Sequence, residues 1–211
     1  MDDREVDFLA RFVEESNAIE GIANEPNSAR TQLLRAYPFG HVGVLVMLHD
    51  AARMRMRQMT EVMVFTTQAM LVREQPSKGM QTLSERHIGC WRDCEVTVGG
   101  RSCEAARFVP MHMRHLITEV RWWQKQYSGN RSVVEAIRFI ARFHWQYELV
   151  HPFVDGNGRS GRALVYYLYR WAGLRPFVFT HDDRFETYYP CFNESASARM
   201  ESYFLARTRL D

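Results

Sequence analysis

Between His151 and Arg162 the chain reads His-Pro-Phe-Val-Asp-Gly-Asn-Gly-Arg-Ser-Gly-Arg, and these side chains suit the handling of a phosphate-bearing molecule. Gly156 and Gly158 let the backbone come close to a ligand. They stand where a helix is expected to begin, so unpaired amides and the positive end of the helix dipole face outward as an anion site. Arg159 and Arg162 lie three apart, share a helical face and can together embrace several phosphate oxygens. Asp155 offers a hard oxygen ligand suited to a magnesium ion that bridges phosphates. His151, with an unperturbed pKa of roughly 6.5, suits a general base at neutral pH. Singly, each feature has a plain reading: a loop histidine before proline, glycines capping a helix, two arginines on a solvated face. Their joint occurrence in one loop that enters one helix favours the chemical reading. No Gly-x-x-x-x-Gly-Lys-Ser/Thr loop stands elsewhere in the chain.

Helices must position these residues, because helix signals are common along the chain and strand signals rare. Val6, Leu9 and Val13 at helical spacing, with acidic residues in the first turn, predict a helix over 2–16. A break is expected at 24–26, where Pro26 disfavours helical angles in the residue before it. A short helix over 32–37 would end at Pro38 and Gly40, and helix in two pieces would fill 41–75, its methionines (Met47, Met54, Met56, Met59, Met63, Met70) serving as packing. A loop follows at 76–79. Cys94, Val96 and Val98 alternate with Glu95 and Thr97 before Gly99-Gly100, which predicts a short hairpin. An amphipathic helix spans 111–127, and residues 128–130 separate it from a helix reaching about 149. Ser132 and Glu135 have capping-box spacing at the start of that helix. It is apolar on most sides and is expected to be central to the core. A last core helix is expected over 157–171, ended by Gly173 and Pro176. The fold class is therefore all-α, one helical bundle with a single small β-hairpin.

The 211 residues carry 27 Lys plus Arg against 25 Asp plus Glu, a formal charge of +2. That balance leaves no electrostatic footprint for nucleic acid or an anionic membrane surface. No apolar run approaches the roughly 18 residues needed to span a bilayer, and the acidic opening argues against a secretory signal peptide. Four cysteines (Cys90, Cys94, Cys103, Cys191) are too few for a disulfide scaffold and suit a reducing, cytoplasmic setting. With His87 they match no compact zinc spacing, and free thiols are expected.

Residues 151–162 match the full signature of the Fic domain family, His-Pro-Phe-x-Asp/Glu-Gly-Asn-Gly-Arg-x-x-Arg, without departure. The stretch 89–100 is similar to that family's flap. The resemblance implies the Fic fold and transfer of AMP from ATP to a Ser, Thr or Tyr hydroxyl of a target protein, the enzyme itself included. It implies that His151 takes the hydroxyl proton and that Asp155 holds Mg2+ on the α- and β-phosphates. Gly156, Asn157 and Gly158 would form the anion hole, Arg159 would steady the β-phosphate and Arg162 the γ-phosphate. The flap at Cys94, Glu95, Val96, Thr97 and Val98 would receive an extended target segment as an added strand. Tyr188, Tyr189 and Asn193 would contact adenine, or serve as core aromatics and a helix-ending amide.

Ser16-Asn-Ala-Ile-Glu20-Gly21 resembles the Ser/Thr-x-x-x-Glu-Gly/Asn inhibitory motif of the family's class II members. Glu20 would pair with Arg162 and turn ATP away from in-line attack, and it would also be placed to help remove AMP. The plain reading is a helix end, with Gly21 as cap and Glu20 exposed. This divides the chain into an inhibitory helix, 1–24, packed on a catalytic domain, 25–211. Open alternatives are transfer of another phosphate-containing group, a nucleotide-binding interaction module without turnover, and a toxin held silent by its own N-terminus. An oligomer is compatible with all of them.

Overall fold

The structure, a computed structural model, describes residues 1–23, 28–35, 38–54, 58–74, 83–127, 132–193 and 195–209. The expected break at 24–26, the loop at 76–79, the separator at 128–130 and Met56 lie outside the described residues. Eight α-helices appear among those described: α1 (Asp3–Ile19), α2 (Ser28–Leu33), α3 (Gly40–Arg53), α4 (Glu61–Glu74), α5 (Val109–Gln126), α6 (Val133–Val150), α7 (Asn157–Trp171) and α8 (Ala198–Arg207). One hairpin interrupts them, β1 (Thr97–Val98) with β2 (Arg101–Ser102), so the fold is helical with a minimal sheet. No helix among the described residues is long and apolar enough to cross a membrane.

The centre of the core is α7. Every residue from Arg159 to Tyr169 is buried, and the helix packs against α1, α3, α4 and α6. This corrects the expectation that α6 would be central: α6 keeps an exposed face through Glu135, Arg138, Arg142 and Gln146. Tyrosine hydroxyls make α7 look more polar than its surroundings allow, yet each finds a partner. Tyr166 Oη lies 2.8 Å from His49 Nδ1, Tyr167 Oη accepts from Gln124 Nε2 at 3.0 Å, and Tyr169 Oη lies 2.8 Å from Thr208 Oγ1. With the hydroxyls satisfied, the rings bury their apolar area at no polar cost.

Helix α1 joins the core through Val6, Leu9, Phe12, Val13 and Ile19, all buried. Asp2 caps its start by accepting from Glu5 N at 2.9 Å. It runs three residues beyond the expected end at 16 and closes in a Schellman cap: Ile22 N donates to Asn17 O (3.0 Å) and Gly21 N to Ala18 O (2.9 Å). Gly21 takes the left-handed angle the cap requires, φ 69°. Glu20 is thereby fixed as the terminal residue of the helix.

Other expectations shift. The short helix lies at Ser28–Leu33 rather than 32–37, and Gly40 opens α3 instead of ending α2. Ser132 stands at the start of α6 without a side-chain cap bond, so no capping box forms. The hairpin strands are two residues each around the Gly99-Gly100 turn, in register Thr97↔Ser102 and Val98↔Arg101. Cys103 N donating to Val96 O at 3.1 Å adds one bond, while Cys94 and Glu95 lie outside the ladder.

Candidate functional site

Loop 151–156 joins α6 to α7 and is shaped by its own polar groups. His151 ends α6 with its amide donating to Tyr147 O (3.0 Å), and its backbone is left-handed, φ 49°, the one non-glycine residue so found among those described. Asn157 closes the loop on itself: its Oδ1 accepts from Phe153 N (2.8 Å) and its Nδ2 donates to Phe153 O (2.9 Å). The Asn157 side chain therefore builds the turn, and its backbone, with that of Gly156 and Gly158, forms the open start of α7. Phe153 is buried and pins the loop beneath Trp91, ring centroids 5.2 Å apart. Tyr147 Oη meets Ser160 Oγ at 2.7 Å and ties α6 to the first turn of α7.

Both motif arginines are buried, 1% exposed each, and their carboxylate partners differ. Arg159 Nη2 lies 3.6 Å from Asp155 Oδ2, and Asp155 Oδ1 accepts from Gly156 N at 2.6 Å. Arg162 reaches α1 three times: Nε donates to Ser16 Oγ (2.9 Å), Nη2 to Ser16 O (2.9 Å) and Nη2 to Glu20 Oε1 (2.7 Å). Burial disfavours the Arg162 charge, but the neighbouring anionic groups, Glu20 first, outweigh it and hold the proton more firmly than usual. The Glu20 carboxylate also rests on the Gly158 backbone, where a Cβ would fall on Glu20 Oε1 and come within 2.9 Å of Arg162 Nη1. Glu20 is thus an internal anion seated at the start of α7, not an exposed carboxylate.

Burial pushes the His151 imidazole down to about 4, against smaller opposing effects that include the Glu20 and Asp155 carboxylates. The ring is neutral at physiological pH and free to accept a proton. Glu148, one turn earlier on α6, is raised to about 8 by burial, which outweighs the nearby Arg162 charge.

Three residues that carry no sequence motif complete the surroundings. Arg92 is buried at the foot of the hairpin, with its Nε donating to His151 O at 2.7 Å and its backbone N to Pro152 O at 2.9 Å. Gln68 of α4 donates to Asp155 O (3.1 Å) and accepts from Gly89 N (2.6 Å). His144 places Nε2 2.8 Å from Tyr188 Oη. Nothing in the pattern around Arg92 marks it, because its acceptors on α6 are 58 and 59 positions away.

The remaining expected positions lie after α7 and in the hairpin, which Arg101 and Asn193 join. Tyr188 is closed into the core, Tyr189 Oη donates to Ile19 O (3.3 Å), and Asn193 Oδ1 accepts from Arg101 Nη1 of the hairpin (3.2 Å). Thr97 and Val98 are exposed, and Glu95 accepts from Ala106 N at 3.1 Å. The four cysteines carry free thiols. Folding nevertheless brings ligand atoms of His87, Asp93 and Cys94 within 4.8 Å of one another, a grouping that linear spacing does not reveal.

Comparison with known proteins places this geometry. The Fic/DOC family model matches residues 58–169. The chain is 32% identical over 82 residues to the protein adenylyltransferase Fic of Nematostella vectensis, covering 38% of this chain and 19% of that protein. It is 33% identical over 69 residues to the protein of the same name in Drosophila melanogaster, covering 33% and 13%. The matched segments thus span less than a fifth of those relatives. Among solved structures, a Fic domain containing signaling protein of Bacteroides thetaiotaomicron superposes with a TM-score of 0.76 at 19% identity, covering 96% of this chain and 84% of that one. Fic-1 of C. elegans gives 0.60 at 18% identity, covering 97% and 63%. BepC of Bartonella tribocorum, solved with bound AMPPNP, gives 0.55 at 15% identity, covering 89% of each chain. At these identities the likeness is one of fold.

Proposed function

The chain belongs to the Fic/DOC family, and from that membership we propose that it transfers AMP from ATP to a hydroxyl side chain of a protein, held in check by Glu20. The observation that carries the reading is the half-buried Glu20 carboxylate, set against Arg162 and the Gly158 backbone. A site that holds a carboxylate on a guanidinium at the start of a helix suits the phosphates of a nucleotide. Protein adenylyltransferase is also what the matched Nematostella and Drosophila relatives are named.

In this mechanism the start of α7 does the positioning. Backbone amides of Asn157 and Gly158 receive the charge that grows on the α-phosphate, Gly156 shaping the turn with its own amide held by Asp155 Oδ1, while Arg159 and Arg162 hold the β- and γ-phosphates. His151, neutral at working pH, takes the proton of the incoming hydroxyl as its oxygen bonds to the α-phosphorus and pyrophosphate leaves. Asp155 fits a magnesium ion as the single protein carboxylate that such an ion accepts alongside phosphate oxygens. When bound, magnesium would neutralise phosphate charge. Glu20 competes for Arg162 with the γ-phosphate, so a nucleotide that enters the occupied site cannot align for in-line attack.

Incubation with radiolabelled magnesium-ATP tests both parts. Glu20→Gly should raise labelling of the enzyme itself and of target proteins, and His151→Ala in that background should abolish it. Equal labelling by wild type and Glu20→Gly overturns the brake. Labelling that survives His151→Ala overturns the transfer mechanism.

A further inference from the structure

Arg92 makes an unusual set of contacts for a buried cation. It is 2% exposed, and four guanidinium bonds end on main-chain carbonyls of three separate segments. Nη1 donates to Cys94 O (2.9 Å) before the first hairpin strand, and Nη2 donates to Glu104 O after the second. Nη2 also donates to Val150 O (3.2 Å) and Nε to His151 O (2.7 Å), the last carbonyls of α6. Its backbone N adds the bond to Pro152 O. Glu95 Oε2 stands 4.0 Å from Nη1 as the charge partner.

We propose that Arg92 is the positioning residue for His151, lashing the end of α6 to both legs of the hairpin so that the base keeps its left-handed pose. The inference rests on the transferase reading above. Carbonyls at a helix C-terminus have no partner within the helix and carry its negative dipole end, so a cation there is favourable. A non-glycine residue at positive φ persists only where its surroundings over-determine it, and here the carbonyls at 150, 151 and 152 are all held from one residue. A planar fork is needed to reach several fixed acceptors at once, which the ammonium of lysine does not provide. The bonds of Arg92 end at 94 and 104 on the hairpin legs and at 150, 151 and 152 beside the base, so its influence falls on the base and the hairpin rather than on the phosphate cradle.

The test compares Arg92→Lys and Arg92→Ala in the Glu20→Gly parent. Melting curves establish folding, displacement of a fluorescent ATP analogue measures nucleotide affinity, and transfer is followed at saturating magnesium-ATP. Nucleotide affinity is expected to stay at the parent value while the transfer rate falls by about a hundredfold, the scale of a misplaced reacting group. A transfer rate equal to the parent's, a loss that lies in nucleotide affinity alone, or failure of both variants to fold overturns the proposal. A parent that transfers nothing overturns the transferase reading itself, and with it this inference, before either Arg92 variant is compared.

Discussion

Gly158 shows how narrowly the phosphate cradle is drawn. A Cβ there would collide with Glu20 Oε1 and crowd Arg162 Nη1, so the backbone amide at 158 can approach an anion only because nothing projects from it. Gly158→Ala is expected to displace Glu20, yet also to weaken nucleotide binding by about tenfold or more, the worth of one charged hydrogen bond. Isothermal titration with ATP in wild type and Glu20→Gly backgrounds checks this; affinity unchanged in both would mean the cradle lies elsewhere. The cradle residues were legible in the sequence because glycine, arginine and aspartate at those spacings have few other joint uses. Arg92 was not, since a buried arginine looks like a surface one until its carbonyl acceptors are assembled by folding. Asn157 was legible as part of the motif, but its side chain spends both polar ends on Phe153.

At the scale of elements, α1 carries the proposed brake and is also part of the core. Its apolar face is buried against α2, α3 and α7, and Asn17 Oδ1 meets His41 Nδ1 at 2.8 Å beneath it. Five large buried hydrophobic side chains, each worth ~1.5–3 kcal/mol, hold the helix in place beside the smaller Ala10. Release of Arg162 must therefore come from the Glu20 side chain at the capped end, with the helix staying docked. Phe12→Ala is expected to cost about 3–5 kcal/mol of stability, as a buried ring removed from a packed core does. Chemical denaturation measures it; a cost under ~1 kcal/mol would mean α1 is loosely attached. Element ends followed local chemistry where that was strong: α7 spans the expected 157–171, and helix in two pieces fills most of 41–75. They failed where a signal was ambiguous. Ser132 had the right spacing for a cap but makes no bond, and the alternation from Cys94 continued past what a two-residue ladder supports. The central place of α7 was hidden because arginine and tyrosine count as polar in a pattern, although the hydroxyls of Tyr166, Tyr167 and Tyr169 find partners inside.

Across the whole molecule, buried titratable groups set how stability follows pH. Burial lowers His41, His49, His144 (to about 3) and His151 (to about 4) from their ordinary value of 6.5. Below pH 6.5 the unfolded chain takes up protons more readily than these four do when folded, so stability falls as pH drops. Glu148 works in the opposite direction: raised to about 8, it keeps a proton when folded that the unfolded chain loses above 4.5, so stability falls as pH rises through 8. The melting temperature is expected to climb from pH 5 to 6.5, where four groups outweigh one, and to decline gently from 6.5 to 8. Glu148→Gln should remove the decline and leave the climb. A flat profile in wild type between 5 and 6.5 would contradict the buried neutral imidazoles. Arg101 ties the hairpin tip to Asn193, while Arg92 fastens its foot, and the hydrogen bonds Arg92 makes there end on main-chain carbonyls. Such a fastening is blind to the side chains at 94 and 104. Substitutions at those positions can change what the hairpin presents to solvent while the bonds to the carbonyls stay in place.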